Sequence, residues 1–164
     1  MTQIDFYTHA EDKLQTACIL AGKAMASDLR VLMLAADAGM AARVDQLLWN
    51  YPATAFIPHC RPGDPLVGVT PVIVDYRVDH GVDQLALSVP HDDLLVNLCS
   101  DCPSIFSRFR RVIEIVGLDD DDRQLARERF RYYRDRGYEI RSHDIGKSGG
   151  KNGSGGSAIR HEQG

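Results

Sequence analysis

Residues 29–35 read LRVLMLA, a run that is almost entirely apolar. Such a run is typical of a strand in a parallel sheet that is covered on both faces. A β-prone segment precedes it at residues 4–7, and the spacing of apolar residues predicts helices over 11–26 and 39–50. Strand, helix, strand and helix in succession predict an α/β fold with a mostly parallel sheet.

The same organisation continues to residue 146. Prolines at positions 52, 58, 62, 65 and 71 predict a loop over residues 51–71. Further strands are predicted at residues 71–76, 84–89, 94–99, 111–117 and 138–145, with a short helix at 103–109 and a long one at 119–136. Residues 147–164 are rich in Gly and Ser, which predicts a flexible tail after a single domain of residues 1–146.

Composition narrows the possible functions. The 164 residues carry 19 Lys plus Arg against 23 Asp plus Glu, so the formal net charge is −4, and the molecule as a whole should not grip nucleic acid. The chain has no apolar run of about 18 residues and no basic N-terminal segment, so neither a membrane span nor a secretory signal is expected. Its four cysteines do not suggest a disulfide framework, and we expect a cytoplasmic protein.

One ridge of the long helix is entirely cationic. At about 100° per residue, four arginines fall within an arc of about 80°, with an aromatic residue at its border. These residues are Arg123, Arg127, Arg131 and Arg134, with Phe130 beside them. A charged ridge is usually just a solvated helix face. Here no acid is interleaved, and like charges four residues apart repel, so the ridge is easier to understand if it binds an anion.

Two kinds of anionic partner fit such a ridge. An acidic peptide that ends in an apolar residue could place its terminal carboxylate on Arg and its side chain on the aromatic edge. Single-stranded nucleic acid could instead stack its bases on the aromatic rings. The acidic net charge argues mildly for the peptide.

A second candidate surface lies after the second predicted helix. Residues 47–59 read LLWNYPATAFIPH and contain Trp49, Pro52 and Phe56. Aromatic residues on a loop stiffened by proline make good interface anchors, because they lose little entropy on binding. They could equally pack the loop against the sheet.

Other sequence motifs give only weak indications of a catalytic, metal-binding or nucleotide-binding site. Cys99 and Cys102 form a CxxC motif that could be a redox pair or half of a zinc site with His59 and Cys60, although ordinary buried thiols are more common. His80 and His91 could act as acid or base residues, but no nucleophile lies in a recognisable sequence motif. There is no glycine-rich phosphate-binding loop, and the acidic turn THAED at residues 8–12 would repel phosphate. We therefore expect no catalytic residue, metal or cofactor, while a small enzyme stays the third possibility.

Three segments show a family resemblance that covers roughly residues 1–146, and the first of them is FYTHAEDKLQTACILAGKAMASDLRVLML at 6–34. Residues 47–59 and, more specifically, the segment QLARERFRYYRDRGYEI at 124–140 resemble the chi subunit of bacterial DNA polymerase III. The resemblance implies a single-domain, Rossmann-like three-layer sandwich that binds no nucleotide and has no catalytic activity. It also implies a clamp-loader accessory subunit that binds the acidic C-terminal tail of single-stranded DNA-binding protein (SSB), contacts single-stranded DNA only indirectly, and binds the psi subunit.

The resemblance also assigns residues. The SSB-binding basic positions of the family fall on Arg123, Arg127 and Arg131, with Arg127 the most important. Phe130 stands where the family usually has Tyr, so any contact from that hydroxyl is lost here. The psi contact region falls on Trp49, Pro52 and Phe56.

Overall fold

The computed structural model describes residues 2–50, 57–76 and 90–146. The strands in these ranges are β1 (Gln3–Ala10), β2 (Val31–Ala35), β3 (His59–Cys60), β4 (Val72–Tyr76), β5 (Leu94–Asn97), β6 (Arg111–Gly117) and β7 (Glu139–Asp144). The helices are α1 (Lys13–Ala26), α2 (Ala38–Asn50) and α3 (Asp120–Asp135), with a short 3-10 helix at Ser104–Arg108. No helix in the described ranges is long and apolar enough to cross a membrane.

The seven described strands form one sheet in the order β3-β4-β2-β5-β6-β1-β7. Each neighbouring pair in it is parallel. Two helices cover one face, and α3 with the 3-10 helix covers the other. The predicted α/β three-layer architecture is therefore confirmed.

Strand β2 shows why the apolar run decides this fold. Val31 and Met33 face the core under α1 and α2, whereas Leu32 and Leu34 face the core under α3. All five residues of the strand are buried. A strand in the middle of a sheet with helices on both faces needs apolar side chains at every position, because neither face meets water.

Two parts of the predicted element order need comment. The predicted loop at residues 51–71 contains the two-residue strand β3, which pairs with β4 and which the proline density did not suggest. The strand predicted at residues 84–89 and the tail predicted at 147–164 lie outside the described residues.

The carboxyl ends of β1, β6 and β7 meet at one edge of the sheet. β1 lies between the other two strands, with Phe6 opposite Ser142 and Ala10 opposite Gly117. The register with β6 shifts between Tyr7 and Ala10, so β1 is irregular near its end. This edge, together with the α3 helix that follows β6, forms the site described next.

Candidate functional site

Helix α3 begins and ends at residues suited to those positions. The Asp119 side chain accepts a hydrogen bond from the Asp122 amide at 3.2 Å and caps the helix, and the acidic first turn suits the helix dipole. Gly137 follows the last turn with a φ of 81°, a backbone conformation that favours glycine. The four aspartates at residues 119–122 thus form the start of the helix.

Arg129 lies on the buried side of α3 and is paired. Its Nε donates to Glu114 Oε1 at 2.8 Å, and its Nη1 donates to the Ser100 carbonyl at 2.9 Å. Tyr133 Oη and Asn97 Nδ2 donate to the other oxygen of Glu114, at 2.6 and 2.9 Å. Burial raises the pKa of Glu114, while the Arg129 charge and the hydrogen bonds from Tyr133 and Asn97 oppose that rise. Arg129 is therefore a buried charge whose counter-charge and hydrogen-bond partners come from neighbouring segments.

A pocket of about 220 Å³ lies between α3 and the carboxyl ends of β1, β6 and β7. Its lining is apolar at the bottom and cationic on the helix side. The lining residues are Phe6, Thr8, His9, Val116, Gly117, Arg123, Ala126, Arg127, Phe130 and Ser142. The rings of Phe6 and Phe130 lie 5.5 Å apart, centroid to centroid, and together they provide an aromatic surface. The site can hold an apolar side chain close to an anionic group.

Three of the predicted ridge residues line this pocket. Arg123 and Arg127 are exposed at its rim, and Phe130 is half-buried against Phe6. Their internal contacts are weak: Arg127 Nη1 lies 3.3 Å from Gln124 Oε1, and Arg123 Nη1 lies 3.8 Å from Asp120 Oδ1. Both guanidinium groups can therefore turn towards an incoming anion at little cost.

The other two predicted ridge residues lie outside the pocket. Arg131 and Arg134 are exposed on α3 but are not part of its lining. Arg134 Nη2 lies 3.4 Å from Asp135 Oδ1. A role for these two arginines in binding stays a prediction.

The strand side of the pocket was missed by reasoning from the helix. Thr8 and His9 come from β1, Gly117 from β6 and Ser142 from β7. One signal could have found them, because ligands of open α/β sheets bind outside the carboxyl ends of the strands. Applying that rule to the ends of the first, sixth and last predicted strands would have brought these residues together.

Comparison with known proteins decides the family. A sequence model described as "DNA polymerase III chi subunit, HolC" matches residues 1–141. The chain belongs to this chi family. A relative named DNA polymerase III subunit chi from Pseudomonas aeruginosa is 35% identical over 149 residues, which are 88% of this chain and 98% of the relative. The protein of the same name from Escherichia coli is 31% identical over 126 residues, 77% of this chain and 81% of that protein. A third, from Haemophilus influenzae, is 26% identical over 132 residues, 80% of this chain and 87% of that protein.

The second predicted surface of this chi-family protein is described only in part. Trp49 is the penultimate residue of α2 and is 58% exposed, and the centroids of its ring and the His59 ring lie 5.1 Å apart. His59 is held in turn, since its Nε2 lies 2.9 Å from Asp45 Oδ1. Pro52 and Phe56 lie outside the described residues. Trp49 is therefore an exposed ring that packs against His59, which Asp45 holds in place.

The cysteine and histidine residues that the sequence singled out are buried or half-buried where the structure describes them. Cys99 is buried, and burial raises the pKa of the half-buried Cys102 thiol to about 11, so that this thiol is protonated at neutral pH. His91 is fully buried and its Nε2 lies 2.6 Å from the Thr70 carbonyl, whereas His80 lies outside the described residues. Across residues 2–50, 57–76 and 90–146, no three His, Cys, Asp or Glu residues are grouped to hold a metal ion.

Proposed function

We propose that this chi-family protein is a non-catalytic accessory subunit of the DNA polymerase III holoenzyme, acting in the cytoplasm. Its pocket at Arg123, Arg127 and Phe130 binds the acidic C-terminal tail of SSB. A second surface at Trp49, Pro52 and Phe56 binds the psi subunit and so links SSB to the clamp loader.

The observation that supports the first contact is the composition of the pocket. An aromatic bottom formed by Phe6 and Phe130 lies beside the guanidinium groups of Arg123 and Arg127. A peptide that ends in an aromatic residue carries an apolar ring and a free carboxylate on the same residue. Arg is suited to the carboxylate because its planar fork can make two parallel hydrogen bonds. Both chemical features of such a peptide end can thus be satisfied at once.

The arginines beyond the pocket fit the remainder of an acidic tail. Arg131 and Arg134 extend the ridge along α3 on exposed positions. Acidic residues upstream of the peptide end would pass over them, where exposed charges contribute mainly to the rate of encounter. The net charge of −4 over the whole chain discourages indiscriminate binding to nucleic acid.

The first experiment titrates a fluorescein-labelled peptide of the last ten SSB residues against the full chain, with anisotropy as the signal. Arg127→Ala should weaken binding at least about tenfold, since it removes a charge-assisted hydrogen bond at the pocket. Arg43→Ala is the matched control, because Arg43 is an exposed arginine on α2, on the other face of the sheet. Equal affinity of Arg127→Ala and wild type contradicts the proposed site.

A second experiment, with the same protein and variant, tests whether the ligand is an SSB tail or single-stranded DNA. A gel shift with an oligonucleotide and no SSB should show no binding at physiological salt. A tight shift that Arg127→Ala removes would favour direct binding of nucleic acid by the same ridge.

The second surface has its own test. Trp49→Ala and Phe56→Ala should each prevent capture of psi in a pull-down and leave binding of the SSB peptide unchanged. Retention of psi by both variants contradicts this surface. The matched Leu66→Ala variant removes another exposed apolar side chain and should still capture psi.

A further inference from the structure

His9 enters the pocket only because β1 departs from regular strand geometry. Successive side chains of a regular strand point to opposite faces of the sheet. In β1, Phe6 and Thr8 point towards α3, so His9 should point the other way. Thr8 and His9 nevertheless both line the pocket, since His9 has a φ of 62° and the register shifts between Tyr7 and Ala10. The irregularity re-aims one side chain, as bulges beside binding sites commonly do.

This backbone conformation is strained and held in place by neighbours. A positive φ is uncommon for residues other than glycine, and strain of this kind collects at functional sites. His9 Nδ1 lies 3.1 Å from Asp144 Oδ1, and the Gly146 amide donates to the same oxygen at 2.9 Å. A Cβ on Gly146 would come within 2.6 Å of the His9 Cβ, so only glycine fits against the ring there.

His9 also separates the pocket from two carboxylates. A second depression next to the pocket is lined by His9, Glu11, Leu118, Asp144 and Gly146. Negative charge there opposes an acidic ligand in the pocket, where Arg123 and Arg127 attract it. The imidazole lines both depressions, and its Nδ1 lies 3.1 Å from Asp144 Oδ1.

We propose that His9 is a specificity-determining residue of the pocket, with two tasks. Its ring forms the wall on the strand side against the apolar end of an acidic peptide, and its close contact with Asp144 shields the ligand from that carboxylate. The proposal rests on the proposed function, and it adds a contact that the helix ridge does not supply.

The test uses His9→Gly in the full chain with the labelled SSB peptide. Glycine removes the ring and the strain together, so the Tm should stay within about 3 °C of wild type, because the relieved strain offsets the greater freedom of the unfolded chain. Affinity should fall about fivefold, as expected when one contact at a pocket wall is lost. Asp28→Gly is the matched control, since exposed Asp28 has a φ of 61° at the end of α1 and should bind like wild type.

A double-mutant cycle tests the shielding. Asp144→Asn should tighten binding about twofold in the His9→Gly protein and change wild type little, because only the unshielded carboxylate repels the peptide. An equal gain in both backgrounds overturns the shielding.

The remaining outcomes separate this inference from the function on which it rests. Wild-type affinity in His9→Gly, with weakened binding in Arg127→Ala, overturns the role of His9 and leaves the proposed function standing. Wild-type affinity in Arg127→Ala overturns both. A Tm of His9→Gly far below that of Asp28→Gly shows that His9 is structural, and it also overturns the inference.

Discussion

The guanidinium of Arg129 lies 2.8 Å from the Glu114 carboxylate, and the two side chains are 3% and 0% exposed. Arg129 belongs to α3 and Glu114 to β6, an interior strand of the sheet, so the pair fixes the helix on the sheet. Helix α3 carries the rim of the pocket and β6 carries part of its bottom. The geometry of the candidate site therefore depends on a buried contact that lies outside the pocket lining.

Loss of this pair should destabilise the protein strongly. Arg129→Ala leaves a buried carboxylate without its counter-charge, and breaking a buried pair in this way typically costs about 3–5 kcal/mol. Arg131→Ala, an exposed arginine two residues further on, should stay within about 0.5 kcal/mol of wild type. Urea denaturation of both variants measures the difference, and a loss below about 1 kcal/mol for Arg129→Ala would show that the pair is not structural.

The half-buried contact between Asp122 and Lys13 should make stability depend on pH in the acid range. Burial acts to raise the pKa of Asp122, but bonds from Lys13 Nζ at 2.8 Å and the Gly117 amide at 2.7 Å outweigh it and hold this pKa below its usual range. Because the folded pKa is lowered, the stabilisation is complete above the unfolded value of about 3.9 and is lost as the pH falls through the folded value.

Asp122→Asn tests this connection. The variant should lose about 1–2 kcal/mol at pH 7, where the wild-type carboxylate accepts both charge-assisted bonds. The difference from wild type should shrink below about pH 4, because the wild-type carboxyl then becomes protonated. A difference that stays constant from pH 7 to pH 2.5 in urea titrations contradicts the assignment. Asp121→Asn, an exposed change on the same helical turn, is the control.

His91 should also make stability depend on pH, but nearer to neutral pH. Burial lowers its pKa, as do the nearby charges of Arg30 and Arg108, while the Thr70 carbonyl and Asp93 act the other way. Its Nδ1 has no hydrogen-bond partner within the described part of the chain. A proton added there is opposed in the folded state, so stability is retained above the unfolded pKa of about 6.5 and is lost as the pH falls towards the folded value.

His91→Gln removes the titration but keeps a donor for Thr70. It should be less stable than wild type at pH 7.5, since a buried ring is replaced. Its stability should fall less steeply between about pH 6.5 and pH 5, because the other titrating groups are common to both proteins and cancel in the difference. Parallel stability curves for the two proteins over this range, from thermal melts, would rule out His91 as the source.

The sequence predicted features that belong to a single strand or helix, but not the side-chain contacts between different elements. The apolar run at residues 29–35 predicted a strand covered on both faces, and helical periodicity brought Arg123, Arg127 and Phe130 together. The partner of Arg129 could not be predicted, because Glu114 lies on a different element and only the tertiary fold brings that strand under α3. His9 was missed for a related reason, because its orientation depends on the Asp144 and Gly146 contacts from the far end of the domain.

A salt titration should distinguish the electrostatic contribution of the pocket from its apolar contribution. Binding of the labelled SSB peptide should weaken as NaCl rises from 50 to 500 mM, since screening shortens the range of the arginine charges to about 10 Å at 0.1 M and less above it. Arg127→Ala should weaken binding and also flatten this salt dependence, because it removes one of the attracting charges. Phe130→Leu should weaken binding by a similar factor at every salt concentration, since it reduces apolar contact with Phe6 and the peptide without changing charge. If both variants keep the wild-type slope, the guanidinium of Arg127 does not attract the peptide, and its contribution to the pocket is one of shape.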